Sequence, residues 1–190
     1  MMKRRWLFGI LVAVLLALLL TGCVPNGSNA TEGNNGATSG QKPADPVKPI
    51  QGDAVPVKVY FGTHDAKYVV AEVHMLKNDS QLMQRAMETL ATGPKSTDLV
   101  AVIPKATKVK SVTVKEKTAF VDFSEEIAKR GFGGSATEIL AVGAIVNTLT
   151  EFPDVERVQI LVEGKKVSTL FGHLDVYDPL SRSPAIIKTK

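Results

Sequence analysis

Three histidines have the chemistry to hold a metal in this 190-residue chain. His64 falls in a turn, and His173 lies far along, near the C-terminal tail. His74 sits in an extended stretch, two positions after Glu72 and on the same face. Two ligands on one strand face fall short of the three or four that zinc takes, and no HExxH or CxxC spacing accompanies them. They read as surface histidines, with no metal and no cofactor. Asp122, Glu125 and Glu126 gather where an apolar stretch ends. A carboxylate pair is what glycoside hydrolysis requires, so a cell-wall glycan-modifying enzyme is one alternative. First-turn charges favoured by a helix N-terminus are the simpler reading of Glu125 and Glu126. Gly131-Phe132-Gly133-Gly134-Ser135 precedes a helical pattern, where backbone N–H groups could cradle an anion. Gly133, Gly134 and Ser135 are therefore candidate anion or partner contacts in a second alternative, a small-ligand-binding protein. The loop lacks the Gly-Lys-Ser/Thr ending of a phosphate loop, and no GxSxG or SxxK marks a nucleophile, so no catalytic residue is assigned.

The single cysteine, Cys23, stands where an apolar run ends. Lys3, Arg4 and Arg5 precede that run, Trp6 to Leu20 is uncharged and apolar, and Thr21-Gly22 follows. The run is short for a spanning helix, which needs about 20 residues, and suits a secretory signal. Leu20-Thr21-Gly22-Cys23 resembles the bacterial lipobox. The resemblance implies a diacylglyceryl group on the Cys23 thiol, cleavage before it, and a lipid anchor on the extracytoplasmic face of the cell membrane. Two acyl chains hold a protein stably where one does not. A lone cysteine also fits a secreted chain that uses no disulfide.

The net charge of +4 falls to +1 without those three N-terminal cations. Elsewhere no cluster of Lys/Arg with interleaved aromatics appears, which excludes nucleic acid as the expected partner. From Val24 to Ala54 the chain is rich in Gly, Asn, Ser, Thr and Pro. Such a segment cannot bury a core and reads as a disordered tether with a reach of roughly 30 Å. The expected organisation is a signal peptide over 1–22, the lipidated cysteine and tether over 23–54, and one folded domain over 55–190.

Within that domain, PVKVYFG (56–62) alternates as a strand and 68–76 is its hairpin partner. Asn78 to Gln81 offers a helix start, Leu82, Met83, Ala86, Met87 and Leu90 recur at helical spacing, and Gly93-Pro94 stops the helix. A short extended piece falls within 99–103. Stretches 109–114 and 118–123 form a second hairpin, with one helical turn after it. Ser135-Ala136-Thr137-Glu138 reads as a capping box opening a helix to about Phe152, with Ile139, Val142, Val146, Leu149 and Phe152 as its apolar stripe. Asn147 and Thr148 interrupt this helix; they read as bonding to a neighbouring loop, and Asn147 as a possible partner contact. Strands over 157–162 and 167–171 close the order β-β-α-β-β-α-β-β. The expected class is α/β (α+β), one domain with a mixed sheet and two helices packed on one face.

The phrases VKVYF (57–61), ETLATGP (88–94), VIPKATKVKSV (102–112), AFVDFS (119–124), AIVNTLTEFPDVERVQILVEG (144–164) and HLDVYDPLSRS (173–183) occur in this order. Together they resemble the GerMN domain of sporulation and spore-germination proteins, over roughly Val57 to Ser183. The resemblance implies a small α/β module outside the cytoplasmic membrane, related in architecture to the ring-building modules of secretion systems. It supplies no catalytic residue. It points to interaction or scaffolding, with protein partners or self-association in an extracytoplasmic complex.

Overall fold

The computed structural model describes residues 53–129 and 132–189. The expectations for the signal segment, Cys23, most of the tether and Gly131 lie outside the described residues. The strands divide between two sheets instead of joining in one. In the first, β1 (Ala54–Thr63) is central, flanked by β2 (Val69–Lys77) and the short β3 (Leu99–Val100), both antiparallel to it. In the second, β4 (Val109–Lys115) pairs antiparallel with β5 (Thr118–Phe123), which pairs parallel with β6 (Arg157–Val162). The short β7 (Lys165–Lys166) and β8 (Leu180–Ser181) both add to β6.

A parallel pair needs a long crossover, and the second helix provides it between β5 and β6. Helix α1 spans Leu82–Thr92 and α2 spans Ser135–Leu149. The two helices touch each other and β1; α1 also reaches β4, and α2 reaches β6. The α/β class with two helices is thus the one the sequence implies, distributed over two sheets.

One core joins all these elements. Val59 and Phe61 from β1, Met87 and Leu90 from α1, Ile145 and Leu149 from α2, and Phe123 and Ile160 from the second sheet are fully buried. Each contributes about 1.5–3 kcal/mol of transfer free energy on leaving water.

Helix α1 buries Ala86, Met87, Leu90 and Ala91 along one stripe. Gly93, at φ 100°, ends it with its N–H bonded to the Thr89 carbonyl. Its start is held by Asp79, whose Oδ1 accepts from the Gln81 N–H at 2.9 Å and whose other oxygen pairs with Arg85. That pairing, with the Gln81 bond, draws the Asp79 carboxyl down to about 2.

Helix α2 departs from its expected stripe. Every residue from Leu140 to Leu149 is buried, whereas Ile139 is 44% exposed, so α2 is a central helix covered on nearly all sides. It stops at Leu149, three residues before the expected end. The Thr150 side chain folds back onto the Val146 carbonyl, and Pro153 forbids continuation. The last long strand expected over 167–171 is also absent among the described residues. There the chain curls as an irregular loop, for a reason that lies in Glu138.

Candidate interaction surface

Glu138 does not form the capping box. Gly134 is the N-cap, without a side-chain bond, and the Glu138 carboxylate is turned inward at 0% exposure. Its Oε1 accepts from the N–H groups of Leu170 and Phe171, each at 2.8 Å, and its Oε2 accepts from His173 at 2.7 Å. Burial opposes the charge, but the backbone donors of Phe171, His173, Leu170 and Leu174 outweigh it and hold the carboxyl below its ordinary value. The 170–174 loop therefore wraps an anion and leaves the ladder, since N–H groups spent on Glu138 cannot pair with a strand.

A second polar network ties the C-terminal segment to α2 and β1. Asn147, also at 0% exposure, donates from Nδ2 to the Ser183 carbonyl at 3.1 Å and accepts from the Ser183 N–H at 2.9 Å. Arg182 donates to the Asn147 carbonyl at 2.9 Å, to the Tyr60 hydroxyl at 2.8 Å and to Glu151. The Tyr60 hydroxyl donates to Glu151 Oε1 at 2.7 Å. Thr148 Oγ1 accepts from the Tyr60 N–H at 3.1 Å. Burial and the bond to Glu151 raise the Tyr60 phenol, while burial of Glu151 is outweighed by its bonds from Tyr60, Lys58 and Arg182, which hold its carboxyl below the ordinary value.

These contacts fix the places of the sequence-derived candidates. Gly133, Gly134 and Ser135 lie at the N-terminus of α2, with Gly134 and Ser135 exposed. Asn147 lies about 18 Å further along the same helix, so the structure does not bring the four together. Both polar groups of Asn147 are engaged with Ser183, which makes it a brace for the tail and leaves nothing to offer a partner. Ser135 is the first helical residue, where the sequence suggested a cap. The fixed negative charge in this first turn belongs to Glu138.

The acidic cluster is likewise tied to turns. Asp122 Oδ1 accepts from the Gly164 N–H at 2.7 Å, and the Ser124 hydroxyl lowers the Glu126 carboxyl. The Glu125 N–H donates to Glu163 at 3.2 Å. Glu72 and His74 do share a strand face and meet at 2.6 Å, while Glu72 also accepts the N–H groups of Lys95 and Ser96. Among the described residues no three metal-ligating side chains come together.

What lies open is β2. It is an end strand of the first sheet, and among the described residues only Ile187 pairs with its outer side, at Val69. Val73 and Met75 on its outward face are 58% and 62% exposed. A groove of about 370 Å³ beside them is lined by Lys58, Tyr60, Ala71, Val73 and Ile187. Sequence reading found the strand and missed the surface, because its alternation points the wrong way. Ala71, Val73 and Met75 share one parity and look like part of an inward set, yet register decides otherwise. Val57 opposes His74 and Val59 opposes Glu72, so the buried face of β1 carries the polar residues of β2 inward with it.

This fold and these phrases have relatives. The family described as "Sporulation and spore germination", Germane, matches residues 58–168. The chain belongs to the Germane family.

Its Germane domain is similar to the spore germination protein GerM of Bacillus subtilis strain 168, at 26% identity over 149 residues. That match takes in 75% of this chain and 40% of GerM, so the chain spans about two fifths of that relative's length. Among solved structures, the tandem GerMN domains of B. subtilis GerM match with a TM-score of 0.59 at 26% identity, over 77% of this chain and 51% of that one. The first GerMN domain alone matches with a TM-score of 0.58 at 27% identity, over 67% of this chain and 98% of that one. A crystal structure described as a candidate lipoprotein from Clostridium perfringens matches with a TM-score of 0.51 at 25% identity, over 72% and 93% of the two chains. The resemblance first read from VKVYF through HLDVYDPLSRS is thus a family membership. The matched residues contain both helices and most of both sheets.

Proposed function

We propose that this chain is a lipoprotein anchored through a diacylglyceryl group on Cys23 to the extracytoplasmic face of the cell membrane. In this reading its Germane domain works there as a non-catalytic interaction or scaffolding module in sporulation or spore germination. The observation that carries the proposal is the distribution of chemistry over the domain. Glu138, Asn147, Glu151 and Arg182 spend their polar groups on the protein's own backbone and side chains, whereas β2 turns Val73 and Met75 outward. Polar groups committed inward serve structure, and apolar side chains held in water on a strand edge serve association. The lipobox-like Leu20 to Cys23 supports the anchor.

Two measurements test it. Cys23→Ser should abolish incorporation of labelled fatty acid and leave the precursor uncleaved, while the domain keeps its thermal unfolding transition. Photocrosslinking from β2 in native membranes should capture defined protein neighbours. Lipid labelling that survives Cys23→Ser would sink the anchor, and crosslinks to lipid alone would sink the interaction role.

A further inference from the structure

Met75 and Val73 are the two most exposed large apolar side chains among the described residues, at 62% and 58%. They stand two positions apart on the outward face of β2, with Pro56 and Lys58 of β1 opposite them. Valine offers an oxidant no reactive atom. The Met75 thioether does, because a sulfur lone pair attacks the distal oxygen of a hydroperoxide.

The other two methionines of the domain are held differently. Met87 is at 0% exposure in the core, and Met83 is half-buried against it. An oxygen added to either sulfur would set a polar S=O group into apolar packing. At Met75 the added oxygen points into water. Oxidation there changes the surface and leaves the core as it is. The chain has a single cysteine, Cys23, and the anchor reading spends it on lipid, so no thiol competes for the oxidant.

Resting on the interaction reading above, we propose that Met75 is a site of reversible oxidation that regulates the outward face of β2. The step is a two-electron transfer. The sulfur lone pair takes the distal oxygen, the O–O bond breaks, and water leaves when the hydroperoxide is hydrogen peroxide. The thioether is oxidised to the sulfoxide and the peroxide is reduced. The sulfoxide puts a strong hydrogen-bond acceptor where an apolar sulfur stood. A partner covering Met75 must then strip water from that oxygen, and an unpaired polar group buried in an interface weakens it by about tenfold or more. Sulfoxide reductases with a thiol reductant return the thioether, which makes the change reversible.

The test uses the full chain and hydrogen peroxide. Trypsin places the three methionines on separate peptides, 68–77, 78–85 and 86–95, cut after Lys77, Arg85 and Lys95. In the folded chain, peptide 68–77 should gain one oxygen about tenfold faster than 86–95 and ahead of 78–85, with the thermal unfolding transition unchanged. In denaturant the three should react alike. Oxidation of Met83 or Met87 as fast as Met75, or a transition that falls as peptide 68–77 oxidises, overturns the site. Photocrosslinking in native membranes from Lys77, the next residue on the outward face, reads the regulation. Peroxide should cut the protein captures about tenfold in the parent chain, and sulfoxide reductases with dithiothreitol should restore them. In Met75→Leu the ratio of treated to untreated captures should stay near one. Captures that survive complete oxidation of Met75, or that fall equally in Met75→Leu, overturn the switch. Untreated membranes that yield no protein captures sink the interaction reading and the switch with it, whereas the oxidation rates are read without any partner.

Discussion

Replacing Glu138 tests the claim that a buried carboxylate shapes the loop after β7. Glu138→Ala removes the acceptor for three backbone N–H groups, those of Leu170, Phe171 and His173. A buried donor left without a partner costs about 1–3 kcal/mol, which sets a ceiling near 9 kcal/mol for the three. The ceiling is not reached, because Leu170 is buried whereas Phe171 is half-buried and His173 exposed. Two of the donors can turn to water once the loop lets go. About 2–4 kcal/mol is the expected loss, a large share of an ordinary domain's 5–15 kcal/mol. Glu138→Gln keeps one acceptor oxygen but sets an amide NH₂ against a donor, so it should lose about 1–3 kcal/mol.

Urea unfolding followed by circular dichroism measures both variants. Hydrogen exchange at 170–174 reports whether the loop has opened. The pH dependence carries a sign. The folded carboxyl lies below its ordinary 4.5, so its contribution is complete above that value and is lost as pH falls through the lower folded value. The parent chain should therefore lose stability below about pH 4.5 more steeply than Glu138→Gln. A Glu138→Ala chain within about 0.5 kcal/mol of the parent, with unchanged exchange at 170–174, would refute the cradle.

Two further expectations concern backbone geometry. A Cβ on Gly143 would stand 2.1 Å from Ile186 Cδ1, so Gly143→Ala must turn aside the tip of the Ile186 side chain, which belongs to the C-terminal 3₁₀ turn (Pro184–Ile186). The cost of moving that tip offsets the better helix propensity of alanine, so the net change should stay within about 1 kcal/mol, and Gly143→Ala should become clearly stabilising once Ile186→Ala is present; strictly additive effects in the double-mutant cycle would disprove the contact. Glu116 and Lys117 form the turn between β4 and β5 at φ 50° and 59°, a left-handed pair in residues that disfavour it. Glu116→Asn with Lys117→Gly should raise stability by about 1 kcal/mol in thermal unfolding, since the exposed Lys117–Glu156 pair it gives up is worth little.

Some of this was legible from local chemistry alone. The strand over 118–123 keeps its predicted bounds because Ala119, Val121 and Phe123 alternate along it. Helix α1 keeps its start and stop because Asp79 and Gly93 act within a few residues of themselves. Glu138 was misread for the opposite reason. The Ser-x-x-Glu spacing satisfies the capping pattern, but Leu170, Phe171 and His173, three donors more than 30 residues away, offer its carboxylate a better site. The same distance hides Arg182, which the fold sets against Tyr60, Asn147 and Glu151.

The candidate surface shows the division most clearly. Sequence by itself determined a strand over 68–76, within one residue of the observed 69–77, because residue type and alternation act on each residue's own backbone. It also determined the family, through phrases that keep their order, and it supplied Cys23 as the expected point of attachment. Which face of β2 meets water was decided only by tertiary structure. A strand has two faces and one edge to give, and its partner's register assigns them. With Val57 and Val59 claimed by the core, His74 and Glu72 opposite them follow inward, and Val73 and Met75 are left outside.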